Sequence, residues 1–306
     1  MKSIALLDHY LEERNQLLRT TSEVLERDPR VKAAWLFGSI GRGDEDALSD
    51  IDLWVVVDDD HIDNIIAQPR QVTSHIGNPV LFLEAPQNAP EGGAYLMTCY
   101  DTPVAPHIVD WYWQPQALAY ISGQVRLLFD RVGLIHKDQP IQFPGRPASK
   151  EIIERPIHFI SFFWMMLMIT AKKAFRSPWA EKMELLPLLI DSIVKAQHFL
   201  GRESILLLRD IPHHQLPSEK VHLLYKLADQ MSEMMAIIAE QGQEVPALIK
   251  PGAYRYLDLI DSMIEDKGSS TQYGGHEHHL SMSAFSAAER LPRCLGGSQA
   301  GIGTRN

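Results

Sequence analysis

Apolar residues in the first half of the chain follow a helical period once and then form a series of short runs. Positions 4–26 carry leucines at helical spacing and are followed by Asp28 and Pro29, which predicts an opening amphipathic helix. Short runs rich in branched and aromatic residues then predict strands. They lie at 31–37, 51–57, 79–84, 94–100, 107–113 and 125–129. The first half is therefore predicted to be a mixed β-sheet with few helices.

The apolar pattern changes to a helical period after residue 150. The change follows the segment 138–149, whose prolines oppose both helix and sheet and which is the predicted domain boundary. Helices are predicted at 150–176, 180–200, 218–241 and 254–266. Beyond Lys267 the chain becomes rich in Gly and Ser. We predict an α+β fold with a mixed-sheet domain at 1–145, a helical bundle at 150–267 and a flexible tail at 268–306.

Composition places the chain among ordinary globular proteins, with 45% hydrophobic and 22% charged residues. The two cysteines, Cys99 and Cys294, have no CxxC or Cys/His spacing typical of a zinc site, which favours a reducing compartment. The N-terminus lacks the basic and apolar regions of a secretory signal. The apolar stretch 159–171 is shorter than the roughly 20 residues that span a bilayer. A cytoplasmic protein with a buried core helix and no membrane partner is predicted.

Charge argues against a long nucleic acid as the partner. The formal net charge is −10, and residues 1–150 hold 13 basic and 21 acidic residues, so −8 of it lies in that half. A protein that follows a polynucleotide needs a face rich in Lys and Arg. The acidic first half instead favours a cationic small molecule through long-range attraction. The sequence gives no indication of the oligomeric state.

A Gly-rich connection between the first two predicted strands reads GSIGRGDEDALSDIDL from Gly38 to Leu53. Gly38 lets the backbone approach a phosphate, and the Ser39 hydroxyl and nearby N–H groups can donate to phosphate oxygens. Arg42 adds positive charge, although an arginine in such a loop needs no partner. Gly38, Ser39, Arg42 and Ser49 form the predicted nucleotide-binding set. The acids at 44–46 are interpreted as a solvated loop.

Asp50 and Asp52 stand two residues apart on a predicted strand, so their side chains project from one face. Such a pair suits magnesium, which takes oxygen ligands and completes its shell with water and phosphates. Asp110, inside the apolar run 107–113, is the predicted third ligand of a site for two metal ions. The alternative for Asp110 is an ion pair with an arginine, and Glu84 is the next candidate if neither role applies.

Several other side chains have two readings. Lys172, Lys173 and Arg176 end an apolar helix, where they favour the helix dipole or clamp a triphosphate. The aromatic residues Trp111, Tyr112 and Trp113 are core residues, or one alternating face of them lines a cleft that binds a substrate. A histidine patch in the tail is interpreted as incidental rather than metal-binding; it comprises His276, His278 and His279.

The pattern resembles the nucleotidyltransferase superfamily related to DNA polymerase β. Its signature is a Gly-Ser pair followed by Asp-x-Asp and later by a lone Asp on another strand. Gly38-Ser39, Asp50 with Asp52, and Asp110 match it in order. The helical second half is similar to the antibiotic-modifying members, such as the aminoglycoside and lincosamide nucleotidyltransferases. The chain has neither the Gly-Lys-Ser/Thr of a Walker A loop nor a GxGxxG fingerprint after the strand.

The resemblance implies a magnesium-dependent enzyme that moves a nucleoside monophosphate to a hydroxyl of a small acceptor. ATP is the expected donor among nucleoside triphosphates, with two magnesium ions at Asp50, Asp52 and Asp110. An aminoglycoside or lincosamide antibiotic is the acceptor that the relatives suggest, and the acidic first half agrees with a cationic one. Two alternatives stay open: an AMP-transferring regulator that modifies proteins, as in toxin–antitoxin-like relatives, and a module that senses a nucleotide without turnover.

Overall fold

Six strands form a single sheet in the first half of the molecule. The computed structural model describes residues 2–176, 185–202 and 217–271. Within these residues the strands are β1 (Val31–Leu36), β2 (Ile51–Val57), β3 (Pro79–Glu84), β4 (Ala94–Tyr100), β5 (His107–Pro115) and β6 (Arg126–Asp130). All six predicted strands are confirmed, with ends that differ by at most two residues. Each is an apolar run bounded by Gly, Pro or acidic residues, which explains the agreement.

Helices precede, interrupt and follow the sheet. They are α1 (Lys2–Arg27), α2 (Gly38–Arg42), α3 (Ile62–Ala67), α4 (Pro69–Thr73), α5 (Lys150–Ile153), α6 (Pro156–Arg176), α7 (Leu186–Phe199), α8 (Pro217–Glu240) and α9 (Ile249–Thr271). The predicted single helix at 150–176 is wrong, because Pro156 starts a new helix and opposes helical conformation in the residue before it. Residues 180–184 of the next predicted helix lie outside the described residues.

The C-terminal helix runs further than its pattern predicted. It begins at Ile249 and ends at Thr271, so the first residues assigned to the tail at 268–306 are helical. The rest of the predicted tail, with its three histidines, lies outside the described residues.

The sheet is mixed, as predicted, with strand order β3-β4-β5-β2-β1-β6. Neighbouring strands are antiparallel except β2 and β5, which are parallel and lie at the centre of the sheet. Their register places Ile51 beside Val109, Asp52 beside Asp110 and Leu53 beside Trp111. This pairing brings together residues that are far apart along the chain.

The two faces of the sheet are covered by different parts of the chain. On one face, apolar residues of β2 and β5 such as Leu53 and Trp111 pack with Leu18 and Leu25 of α1. On the other face, residues of β3 and β4 such as Leu83 share a core with the helices α6 to α9. The segment between β6 and α5 covers the remaining part of that second face. The largest core therefore includes both sheet and helical bundle, which together border the edge where β2 and β5 begin.

Helix α6 lies at the centre of the bundle. By length and composition this helix could span a membrane, but 72% of its apolar 18-residue window is buried within the protein. Phe163, Trp164 and Leu167 are completely buried, and each contributes roughly 1.5–3 kcal/mol by leaving water. The prediction of a core helix is confirmed. Its C-terminal end carries Lys172 and, one turn later, Arg176 toward the sheet.

Candidate active site

The Gly-Ser pair lies at the start of α2, directly after β1. Gly38 has a positive φ of 64°, which disfavours a residue with a side chain. A Cβ atom at Gly38 would lie 2.0 Å from Asp52 Oδ2, so the backbone rests against that carboxylate. The tight loop predicted here is instead a short helix that ends at Gly43, which has a φ of 73°. Ser39 lies in its first turn and is partly exposed.

The three predicted carboxylates meet at one edge of the sheet. Asp52 and Asp110 are direct neighbours across the parallel pair β2 and β5, and Asp50 lies just before β2. All three residues are partly exposed, whereas Ile51 and Leu53 between and beside them are buried. The alternation of a strand explains this pattern, because successive side chains point to opposite faces. Their role as metal ligands stays a prediction.

Asp110 carries the most unusual environment of the three. Its Oδ1 accepts a hydrogen bond of 3.0 Å from the Tyr95 hydroxyl on β4. Burial, followed by the charge of Asp50, raises the pKa of Asp110 to about 7, while Tyr95 and Lys172 oppose that rise. The carboxylates therefore repel one another, and a cation placed among them would be stabilised.

Asp50 forms an ion pair with the second half of the molecule. The Lys172 ammonium on α6 donates to Asp50 Oδ2, although 122 residues separate the two. The Lys172 side chain is only 7% exposed, compared with 23% for Asp50. Lys172 therefore does more than end an apolar helix, because its ammonium contacts a carboxylate of the candidate site.

The loop from Asp44 to Ser49 is held by arginines. Arg176, one turn after Lys172, binds both carboxylate oxygens of Asp46 at 2.6 and 2.8 Å. Arg14 of α1 donates to the backbone oxygen of Asp46 at 2.6 Å. The Arg176 contact accompanies a lowered pKa of Asp46. The interpretation of Asp46 as merely solvated is wrong, because the helical half supplies a partner that no local pattern reveals.

Two members of the predicted nucleotide-binding set have contacts within this loop. The Ser49 side chain is buried, donates to Asp46 Oδ1 at 3.1 Å and accepts from Arg176 at 3.2 Å. Arg42 is exposed and pairs with Asp44 at 3.1 Å. Nucleotide binding by Arg42 and Ser49 stays a prediction.

An aromatic row lies beside the carboxylates on the same face. Trp54 follows Asp52 by two residues, Tyr112 follows Asp110 by two, and their rings stack at 5.3 Å. Tyr95 and Phe37 contact Tyr112 edge-on, at 4.8 and 4.9 Å. Trp111 and Trp113 lie in the core on the opposite face. The alternating face of β5 that carries Tyr112 is thus the one that borders the site.

The alternative candidate Glu84 lies away from these residues. It ends β3, an edge strand separated from β5 by β4, and forms an exposed ion pair with Arg70 at 3.2 Å. The structure therefore does not bring Glu84 to the three aspartates.

Comparison with known families supports the interpretation of this edge. Residues 19–96 match the family model described as "Polymerase beta, Nucleotidyltransferase". These residues therefore form a nucleotidyltransferase-type domain. The matched residues include Gly38, Ser39, Asp50 and Asp52, whereas Asp110 lies beyond them and joins the site through the register of β5.

Comparison with whole proteins adds no further assignment. No curated protein matches this chain. Among solved structures, it is similar to a STING-associated CdnE c-di-GMP synthase from Capnocytophaga granulosa. The identity is 12%, the TM-score is 0.25, and the match covers 86% of this chain and 83% of that chain. A likeness of this size carries no conclusion about fold or substrate.

The donor set at this edge fits a divalent cation in its chemistry. Carboxylate oxygens are the ligands that such a cation takes, and burial followed by the charge of Asp50 raises the pKa of Asp110. In the described part of the chain, no group of three or more His, Cys, Asp or Glu side chains forms a ready metal site. Asp50 is engaged by Lys172. A cation at this edge would thus have to share Asp50 with a lysine.

Sequence reasoning missed Tyr95 and Arg14, and it did not predict the contact between Lys172 and Asp50. Tyr95 reaches Asp110 only because β4 and β5 pair in a particular register, and Lys172 reaches Asp50 only through tertiary packing. Arg14 had a weak signal, since a buried arginine among the apolar positions of α1 calls for a polar partner. No spacing rule connects any of these residues to the Gly-Ser or Asp-x-Asp elements.

Proposed function

We propose that the protein is a divalent-cation-dependent adenylyltransferase that moves AMP from ATP to a hydroxyl of a small acceptor. The observation that carries the proposal is the pairing of Asp52 with Asp110 across β2 and β5, with Gly38 packed against Asp52. Carboxylates and a side-chain-free turn at one edge are what a metal-bound triphosphate requires. The family match supports the reaction class but leaves the nucleotide and the acceptor open.

In this proposal each residue has one task. Gly38 and Ser39 hold the phosphates, and Asp50, Asp52 and Asp110 hold the metal ions. Bound divalent cations would supply charge neutralisation at the attacking and leaving oxygens. The acceptor oxygen forms a bond to the α-phosphorus, the bond to pyrophosphate breaks, and Asp110 takes the hydroxyl proton. Tyr95 occupies Oδ1 of Asp110 and so directs the other oxygen to that task.

The surroundings of the carboxylates favour a small cationic acceptor. The first 150 residues carry most of the net negative charge, so a cation is attracted to this half of the molecule. Phe37 and Tyr112 are partly exposed members of the aromatic row and offer flat apolar surface next to Asp52 and Asp110. A hydroxylated amine that has an apolar face, such as an aminoglycoside or lincosamide antibiotic, has both properties.

The test uses ATP labelled at the α-phosphate, magnesium, and a panel of aminoglycosides, lincosamides and other amino sugars. We expect a labelled small product and one pyrophosphate per product, and we expect neither with Asp52→Asn. Parallel reactions with GTP, CTP and UTP establish the donor. A labelled polypeptide in bacterial lysate would instead support the regulator. ATP binding without pyrophosphate release for any acceptor would contradict an enzymatic role.

A further inference from the structure

Lys172 is a buried cation that lies on a carboxylate of the site. It belongs to α6, whose preceding turns are fixed in the largest core, so the backbone position of the lysine is well defined. Its residue is 5% exposed and its ammonium donates to Asp50 Oδ2. A buried ammonium needs a partner because the loss of hydration costs several kcal/mol. Asp50 is therefore part of the reason that Lys172 can be buried.

A divalent cation would bind the same carboxylate. Under the proposed function Asp50 is a ligand of a divalent cation, and an ammonium and a metal ion cannot both use Oδ2 in the same way. The positive groups near Asp50 are not interchangeable. Arg176 binds Asp46 and Ser49, and Arg14 binds backbone oxygens of the loop. Among the described residues, Lys172 is a cation in direct contact with a proposed metal ligand.

We propose that Lys172 competes with the divalent cation for Asp50. When a nucleoside triphosphate binds, its phosphates take the ammonium and Lys172 releases Asp50. This inference rests on the proposed function, because it needs Asp50 to be a metal ligand. A lysine suits the exchange, since its compact charge sits on a flexible stem that rotates without movement of the helix. The consequence is that metal and nucleotide bind cooperatively, while the metal alone binds weakly.

Competition gives Lys172→Met effects of opposite sign on two binding steps. Without nucleotide, removal of the ammonium leaves Asp50 unpaired and should strengthen metal binding. With nucleotide, it removes the partner of the phosphates and should weaken the mutual strengthening of the two ligands. A lysine that serves only to stabilise the fold would produce neither change, because coupling between two ligands requires that both alter a shared contact.

The experiment measures Mn²⁺ binding by calorimetry and by electron paramagnetic resonance, with and without α,β-methylene-ATP, which cannot transfer AMP. In the absence of nucleotide, Lys172→Met should bind Mn²⁺ at least about 5-fold more tightly than the wild type, the lower end of usual coupling. In the presence of the analogue, Mn²⁺ affinity should rise in both proteins, because the phosphates also ligate the ion, but the rise should be at least about 5-fold smaller in the variant. Thermal unfolding with chelator and with Mn²⁺ provides a second readout.

Arg176→Met is the matched control. Arg176 lies one turn further along α6 and also pairs with an aspartate of the loop, but that aspartate is Asp46, which is not a proposed ligand. Its removal should change Mn²⁺ affinity less than about 2-fold, below the usual range of coupling. The double variant Asp50→Asn/Lys172→Met removes both charges and should lose the tight Mn²⁺ binding of Lys172→Met.

The possible results separate the two proposals. If Asp50→Asn weakens Mn²⁺ binding but Lys172→Met does not strengthen it, the metal site stands and the competition is disproved. If neither Asp50→Asn nor Asp52→Asn affects Mn²⁺ binding, the proposed function loses its metal site whatever Lys172 does. Should Lys172→Met fail to fold, Lys172→Gln takes its place with the same threshold, because the amide donates to Asp50 without carrying charge.

Discussion

Gly38 and Gly43 bound the same five-residue helix, and both have a positive φ. Replacement of either by Ala forces a side chain into the left-handed region at a cost of about 1–2 kcal/mol. Only the Cβ at Gly38 would meet Asp52, whereas nothing lies within 4 Å of one at Gly43. We expect Gly38→Ala to reduce AMP transfer by at least about 100-fold, as a misplacement near 1 Å can do.

Gly43→Ala is the control for that variant. We expect it to lose about as much stability in urea as Gly38→Ala and to keep nearly unchanged AMP transfer. Equal transfer by the two variants would show that the contact between Gly38 and Asp52 has no part in the reaction.

The variants Asp50→Asn and Asp52→Asn should differ in stability, although both aspartates are expected to be required for AMP transfer. Asp50→Asn removes the charged partner of buried Lys172, and hydrogen bonds to charged groups contribute about 1.5–3 kcal/mol. Asp52→Asn leaves the ion pair between Lys172 and Asp50 in place, so its midpoint of thermal unfolding should fall less than that of Asp50→Asn. Calorimetry of both variants in chelator gives the comparison; a larger destabilisation for Asp52→Asn would contradict these assignments.

At the scale of elements, the pairing of β4 with β5 places the Tyr95 hydroxyl on Asp110. Tyr95→Phe keeps the ring against Tyr112 and removes only the hydrogen bond. We expect it to lower kcat by about 10–100-fold, as loss of an outer partner of a ligand commonly does, with little change in KM for ATP. Tyr225→Phe loses a similar bond, to Asp258 in the bundle, and should leave kcat unchanged.

A wild-type kcat in Tyr95→Phe would mean that Asp110 needs no such orientation. A matching loss in Tyr225→Phe would mean that hydroxyl deletion acts through general stability instead.

Helices and strands were predicted well where the local sequence pattern determines their conformation. The segment at 50–57 alternates Asp, apolar and Asp residues before a fully apolar run, so both its period and its functional face are visible in the sequence. The helix at Gly38–Arg42 was missed because its glycines are poor helix formers, and packing against Asp52 decides its conformation. Strand order and register also lie outside local patterns, and with them the contacts of Tyr95 and Lys172.

At the scale of the whole molecule, a buried histidine couples stability to pH. His107 stacks on Tyr10 at 4.0 Å, and burial, followed by the charge of Arg14, lowers its pKa from 6.5 to about 3. The folded state thus holds His107 neutral while the unfolded state takes up a proton below pH 6.5. This contribution to stability is complete above pH 6.5 and is lost as the pH falls toward 3, by up to about 1.4 kcal/mol per pH unit.

His107→Phe retains a ring against Tyr10 and cannot be protonated. Between pH 6.5 and 4 its free energy of unfolding should therefore fall less steeply than that of the wild type. Urea unfolding at a series of pH values measures both slopes, and the other titrating groups contribute equally to each. Parallel slopes would show that His107 is accessible to protons in the folded protein.

The core that α6 shares with the sheet limits how this protein could diversify. Leu83 and Met97 of the sheet are buried by the same cluster that contains Phe163 and Leu167 of α6. A new bundle acquired by recombination at the predicted boundary would leave that sheet face uncovered unless it reproduced the apolar side of α6. New acceptor specificity is therefore expected to arise from point substitutions around a retained α6 rather than from exchange of whole modules. For the same reason, two polypeptides divided within 138–149 should associate when they are made together, because each buries the face that the other exposes.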